Sequence, residues 1–260
     1  PTIYRMLIKQ DISKYDFSSL KHATTAGEAL NPEVFTQFQK HTGLRIAEGF
    51  GQTESTLCIA TLRGMQNKEG SMGKPLACFD IDLMNREGKM CASGESGEIV
   101  IKLSDKGPVG LSVGYYGDDE ETAEKWRDGW YHTGDLGLMD LEGNLYIKGR
   151  SKNMLLTPNG QNVFPEEVES KMNTLPLVSE CIMIQKEDKF YMLVHPDMDE
   201  AERLGMNRAA IEAVMEQNRK DLNLEINKYE QITGIRIYEE EFQKTPKRSI
   251  KRYLYANEEV

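Results

Sequence analysis

Long apolar runs are missing from this 260-residue chain. None approaches the roughly 20 residues that a membrane-crossing helix needs, so no such helix is expected. An excess of positive charge is missing too: 32 Lys and Arg stand against 42 Asp and Glu, a formal charge of −10. That balance argues against a general nucleic-acid binder, whose affinity rests on neutralising phosphates. A small polyanion stays compatible where basic groups gather locally. Cysteine is scarce. Cys58, Cys78, Cys91 and Cys181 have no paired metal-ligand spacing and read as free thiols of a reducing, cytoplasmic compartment. Internal repeats, low-complexity tracts and a signal-peptide pattern are absent. The chain opens Pro1-Thr2-Ile3-Tyr4 without Met, inside a structured-looking segment, and is expected to be part of a longer polypeptide. What is there is ordinary globular material, 39% hydrophobic and 28% charged, enough for more than one domain.

The most informative stretch runs from residue 126 to 153. A tight turn at Asp128-Gly129 precedes the polar cluster His132-Thr133-Gly134-Asp135. Two strand-like runs, 136–140 and 145–148, then flank Glu142-Gly143-Asn144 and read as a hairpin. The second run stops at Gly149-Arg150. A hairpin can bring Asp135, at the mouth of one strand, and Arg150, just past the end of the other, to one side of a sheet. A carboxylate accepts two hydroxyl hydrogen bonds and so suits a ribose diol, and a guanidinium suits phosphate or carboxylate. The alternative is a solvated surface ion pair.

Upstream, residues 3–8 are expected to enter a helix and 20–24 to form a short buried strand. Asn31-Pro32-Glu33 is a helix start, with an N-cap, Pro at the first helical position and an acid in the first turn. That helix should end at Gly43. Residues 44–48 alternate as a strand that empties into Gly49-Phe50-Gly51-Gln52-Thr53-Glu54-Ser55. This order predicts an α/β layer with ligand-facing loops at strand ends. Gly49 and Gly51 would let backbone approach a flat ligand, with Phe50 offering a stacking face and Thr53 a hydroxyl. Glu54 is a candidate Mg²⁺ contact, because a carboxylate beside a phosphate needs a bridging cation. An ordinary glycine-rich turn is the alternative. Residues 70–102 change to short strands and turns, which predict a small β subdomain of barrel-like form, and an acidic helix start opens at Asp118.

After Arg150 the chain reads as a separate unit. Ser151-Lys152-Asn153 fits a hinge, and Thr157-Pro158-Asn159-Gly160-Gln161-Asn162 is a loop. Pro165 opens a helix. Residues 181–185 and 190–195 form a hairpin, 207–223 an amphipathic helix and 232–238 a strand. The tail around Lys247, Lys251 and Arg252 is basic in an acidic protein, either a solvated end or a phosphate-facing loop.

Together these segments resemble the acyl-activating (adenylate-forming) superfamily of acyl-CoA synthetases, adenylation domains and luciferases, over nearly the whole chain. Ala26-Gly27-Glu28-Ala29-Leu30 looks like its adenine-side motif, and Glu48-Gly49-Phe50-Gly51-Gln52-Thr53-Glu54 like its Tyr/Phe-Gly-x-Thr-Glu motif. Gly70-Ser71-Met72-Gly73-Lys74-Pro75 is similar to the Gly-x-x-Gly-x-Pro that follows. Trp130 to Asp135 matches the Thr-Gly-Asp motif, and Gly149-Arg150, Gly160 and Pro165-x-Glu167-Val168-Glu169 match the hinge region. The five motifs occur in the family's order.

The resemblance implies a mixed α/β and α+β fold: residues 1–66 end an α/β nucleotide-binding core, 67–150 form the β subdomain of the large domain, and 151–260 a mobile α+β lid. It implies ATP- and Mg²⁺-dependent activation of a carboxylic acid to acyl-AMP, then transfer to CoA after the lid swings about Lys152. Asp135 would hold the ribose diol and Arg150 the ribose or phosphate. Gly27, Glu28, Ala29, Glu48, Gly49, Phe50, Gly51 and Gln52 would line the nucleotide, with Gly27, Glu28 and Phe50 against adenine. Thr53 would reach the α-phosphate, Glu54 would hold Mg²⁺ and Gly160 would line the pantetheine channel.

Three departures follow. The family's glycine-rich phosphate loop is absent and would lie upstream of Pro1, so these 260 residues alone are not expected to form acyl-AMP. Ser249 stands where the adenylation lysine belongs, leaving Lys247 or Lys251 as substitutes. The first half looks short- or medium-chain-like and the part from Leu145 onward bacterial long-chain-like. Two other readings stay open: transfer to a carrier-protein thiol, or a nucleotide- or CoA-binding module without catalysis.

Overall fold

The computed structural model describes residues 2–8, 10–27, 30–104, 110–245 and 249–258. It divides into two compact units, Pro1–Lys152 and Asn153–Val260.

The first unit opens with helix α1 (Thr2–Ile8), strand β1 (Ala23–Ala26), helix α2 (Pro32–Thr42) and strand β2 (Ile46–Gln52). Asn31 caps α2 through its side chain, and Gly43 closes the helix in the left-handed conformation. Val34, Phe35 and Phe38 of α2 bury against Ala23, Leu30 and Ile46. The crossover leaves β1 and β2 parallel, with Ala26 opposite Gly49. Strands β3 (Thr56–Ala60) and β4 (Lys74–Pro75) extend this sheet antiparallel.

The next strands are β5 (Ile81–Met84) and β6 (Ser96–Lys102), followed by helix α3 (Asp119–Lys125), capped by Asp118. Strands β7 (Trp126–Arg127), β8 (Trp130–Met139) and β9 (Leu145–Arg150) complete a five-stranded sheet in which β8 pairs with β6, β7 and β9. The Ser71–Gly73 segment ties the two sheets together: Met72 and Leu145 N–H groups exchange bonds of 2.8 and 2.9 Å with Leu145 and Gly73 carbonyls. One core under both sheets holds Phe50, Ile59, Met72, Ile99, Tyr131 and Leu145.

The second unit contains a short hairpin, β10 (Leu155–Leu156) with β11 (Asn162–Val163), then α4 (Pro165–Met172). Strands β12 (Val178–Lys186) and β13 (Lys189–Pro196) form the expected hairpin. Helices α5 (Met198–Arg203) and α6 (Arg208–Glu225) follow, and β14 (Ile232–Ile237) joins β13 in parallel. Val168, Met172, Met192, Met215 and Leu222 lie in its core. The basic tail is tied down: Lys244 bridges to Ile250, and the Arg252 guanidinium pairs with Glu169, a buried side chain of α4. Among the described residues no helix is long and apolar enough to cross a membrane.

Candidate nucleotide site

The register of β8 with β9 sets Asp135 directly opposite Arg150. Their ion pair is short, Nε to Oδ1 at 2.7 Å, with the Asp135 side chain 8% exposed and that of Arg150 50% exposed. The acid is therefore buried behind a half-exposed partner. Asp135 sits within β8, not at a strand mouth as the sequence reading has it.

Gln52 reaches the same acid from 83 residues away. Its Nε2 donates to Asp135 Oδ2 at 2.5 Å and to the Thr133 carbonyl at 2.9 Å. Its Oε1 accepts from the Tyr131 hydroxyl at 2.7 Å. With donor and acceptor ends of the amide both engaged, its orientation is fixed. The end of β2 and the Thr-Gly-Asp segment of β8 thus meet at one carboxylate.

Beyond Gln52 the chain turns through residues 53–55, closed by the Ser55 N–H to the Gln52 carbonyl at 3.2 Å. Thr53 is exposed on this turn. Glu54 Oε1 accepts from the Tyr115 hydroxyl at 2.8 Å, and the Glu54 carbonyl accepts from the Ser112 N–H at 2.6 Å. Burial, followed by the neighbouring Glu54 charge, pushes the Tyr115 phenol up to about 12, so it stays a donor. Among the described residues no group of three or more His, Cys, Asp or Glu could hold a metal. One half-exposed carboxylate fits Mg²⁺ carried in on phosphate oxygens, the habit of a cation that keeps its waters, and not a resident metal centre.

Several expected contacts take other roles. Gly49 to Gln52 are strand, not loop. A Cβ on Gly51 would fall 1.8 Å from the Thr56 carbonyl oxygen, and one on Gly49 would fall 3.1 Å from that of Ile59. These glycines admit the neighbouring strand; no ligand is needed to explain them. Gly51→Ala is expected to destabilise the first unit by about 3 kcal/mol, because the obstructing atom is backbone; thermal unfolding measures it. Phe50 packs in the core with 9% of its surface exposed, in a stretch of β2 buried continuously from Ile46 to Phe50, so it offers no broad stacking face. Glu48 is buried and accepts from the Leu30 N–H at 2.9 Å. It fastens Leu30 to β2. Gly27 is exposed with φ +94°. Glu28, Ala29 and Lys247 lie outside the described residues.

Burial raises the Glu48 carboxyl from 4.5 to about 7, with the Leu30 N–H opposing the shift. The folded state therefore holds a proton that the unfolded chain releases. That contribution is complete below pH 4.5 and is lost as pH rises through 7, about 3 kcal/mol in all. Urea unfolding of the first unit should show stability falling across this window, and Glu48→Gln should flatten the dependence.

In the second unit, Gly160 is exposed at φ +76° in a turn closed by its own N–H to the Thr157 carbonyl at 2.9 Å. Lys251 is partly exposed, its N–H bonded to the Gln243 carbonyl at 2.9 Å, directly before the anchored Arg252. Sequence reasoning misses the Tyr115 contact to Glu54 and the Glu98 contacts to Gly134 and His132. Both depend on residues tens of positions apart, and no local pattern announces them.

A parallel β1–β2 pair whose strand end meets a buried acid on a five-stranded sheet is the geometry that the comparisons place. Residues 1–116 match the AMP-binding enzyme family. The mitochondrial acyl-coenzyme A synthetase ACSM3 of Mus musculus is 39% identical over 204 residues, 76% of this chain and 35% of that protein. The mitochondrial ACSM4 of Homo sapiens is 37% identical over 189 residues, 73% of this chain and 32% of that protein. The crystal structure of the anthranilate CoA ligase AuaEII with anthranoyl-AMP superposes with a TM-score of 0.79 at 28% identity, covering 96% of this chain and 46% of that one. An ATP-bound RpMatB-BxBclM chimera shares the fold, with a TM-score of 0.81 at 21% identity over 99% of this chain and 50% of that one. The chain belongs to the acyl-activating, adenylate-forming superfamily. It spans about a third of the length of the curated relatives it matches.

Proposed function

We propose that this chain supplies the ribose-holding and hinge-region parts of an AMP-forming acyl-CoA synthetase, which joins a carboxylic acid to CoA through an acyl adenylate. The supporting observation is the meeting of Gln52, Asp135 and Arg150, with Thr53 and Glu54 on the adjoining turn. Asp135 accepts the ribose hydroxyls. Gln52 holds that carboxylate in place, and Arg150, half in solvent, answers the ribose or phosphate side. Thr53 offers its hydroxyl to the α-phosphate. Glu54, oriented by Tyr115, would hold Mg²⁺, which when bound would supply charge neutralisation at the phosphate oxygens. In the second unit Gly160 faces pantetheine and Lys251 provides the cation near the reacting carboxylate. The free thiols Cys58, Cys78, Cys91 and Cys181 suit a reducing, cytoplasmic setting; the ACSM relatives are mitochondrial by name.

Calorimetric titration of the full chain with AMP and with 2′,3′-dideoxy-AMP tests the reading. AMP is expected to bind about 100-fold more tightly, the worth of two hydroxyl bonds to a charged acceptor. Equal affinities would remove the ribose assignment and the function built on it.

A further inference from the structure

The acid that grips the ribose in this reading sits on an irregularity of β8. Glu98 of β6 lies opposite Leu136 and Val100 lies opposite His132, so four steps along β8 answer two along β6. Ile99 alone faces Thr133, Gly134 and Asp135. Two extra residues are accommodated here, and Asp135 is one of the three displaced. An unsupported bulge would leave its side chains poorly aimed.

One side chain spans the bulge. Glu98 Oε1 accepts the Gly134 N–H at 2.9 Å, and Glu98 Oε2 lies 2.9 Å from His132 Nδ1. His132 is 95% buried by its 5% exposure. Its Nδ1 is also 3.3 Å from Arg127 Nη2; the shorter contact assigns the proton to Nδ1, donating to Glu98. Both carboxylate oxygens thus grip residues flanking Thr133. Gly134 has φ +74°, a conformation in which its N–H can turn toward β6 without a Cβ penalty. Thr133 adds a second fastening, its hydroxyl donating to the Ile99 carbonyl at 2.7 Å and accepting the Asp135 N–H at 3.1 Å. Glu98 itself touches neither Asp135 nor Arg150 in any of these bonds.

We infer that Glu98 is a positioning residue: acting through Gly134 and His132, it fixes the bulge that aims Asp135 at the nucleotide sugar. This rests on the ribose reading of Asp135. A carboxylate is suited to the task because it accepts at both oxygens, while the two groups it serves both donate. Gln52 and Arg150 hold the Asp135 side chain; Glu98 holds the backbone of Gly134, the residue before it.

The test compares AMP with 2′,3′-dideoxy-AMP on the full chain, by calorimetry, for the wild type, Glu98→Ala and Glu98→Gln. Glu98→Ala is expected to weaken AMP about tenfold and to leave the dideoxy nucleotide unchanged, so the ratio of the two affinities collapses. Glu98→Gln, which keeps one acceptor for Gly134, should restore most of that ratio. A purely structural role would lower the unfolding temperature and leave the ratio of the folded fraction intact. His132→Phe cuts only one tether and serves if Glu98→Ala does not fold; about a threefold drop in the ratio is expected from losing one bond of a pair. A folded Glu98→Ala or His132→Phe chain with the wild-type ratio overturns the proposal alone. A wild-type chain indifferent to the ribose hydroxyls overturns the ribose reading and the proposal with it.

Discussion

Asp135→Ala is expected to weaken AMP binding by about 100-fold and to erase the preference for AMP over 2′,3′-dideoxy-AMP. The magnitude follows from losing two hydroxyl bonds to a charged acceptor, each worth about 1.5–3 kcal/mol, of which part is recovered by solvent. The variant should still fold. Arg150 is half-exposed and rehydrates when its partner goes. Gln52 keeps its bonds to the Thr133 carbonyl and the Tyr131 hydroxyl. Asp135→Asn is the sharper control: it preserves volume but replaces one acceptor with a donor, so the diol loses a partner without a cavity forming. Calorimetric titration of both nucleotides against both variants measures the effect. Unchanged AMP affinity in either would show that this carboxylate serves the Gln52 and Arg150 contacts only.

The second large effect is expected in the second unit. Arg252→Met should destabilise it by about 3–5 kcal/mol, the cost of stranding a buried charge. The Glu169 side chain is 8% exposed, and its Oε1 also accepts the Met183 N–H at 2.6 Å. Burial already pushes this carboxyl upward, with the Arg252 guanidinium the main opposing influence. Without the guanidinium the upward shift grows. A carboxyl raised in the folded state binds a proton that the unfolded chain does not, so the variant's deficit is smallest in acid and widens as pH climbs above the ordinary carboxylate range. Adding Glu169→Gln to Arg252→Met should recover most of the loss and flatten the pH dependence. Urea unfolding between pH 5 and 8 measures both; equal deficits at the two ends would contradict the stranded-charge account.

Much of the secondary structure was legible because it is written in short-range chemistry. Asn31-Pro32 and Gly43 bracket α2 almost to the residue. The turns at Glu142-Gly143-Asn144 and Lys186-Glu187-Asp188 mark their hairpins. The early strand expected over 20–24 lies slightly later, as β1 covers Ala23–Ala26. Helix α5 has no clear sequence signal although Asp197 caps it through the Glu200 N–H; six residues carry too little periodicity to register. The site was half legible. Asp135 and Arg150 follow from hairpin register, which local sequence sets. The glycines of β2 were read as room for a ligand, when the space they make is filled by β3. Phe50 reads as a stacking face by residue type, and packing under two sheets places it in the core. Gln52 to Asp135, Tyr115 to Glu54 and Glu98 to Gly134 join segments that only the folded sheets bring together.

The irregularity in β8 also constrains how this segment can change in length. Tyr131 on one side of it and Met139 on the other pack against the same core. A strand presents alternate residues to alternate faces, so both can point inward only if the number of residues between them keeps its parity. Losing one residue from Thr133-Gly134-Asp135 would turn Leu138 toward the core and Met139 toward solvent. Losing two would restore the alternation and delete the acid's perch. Single-residue deletions at this spot are closed to drift.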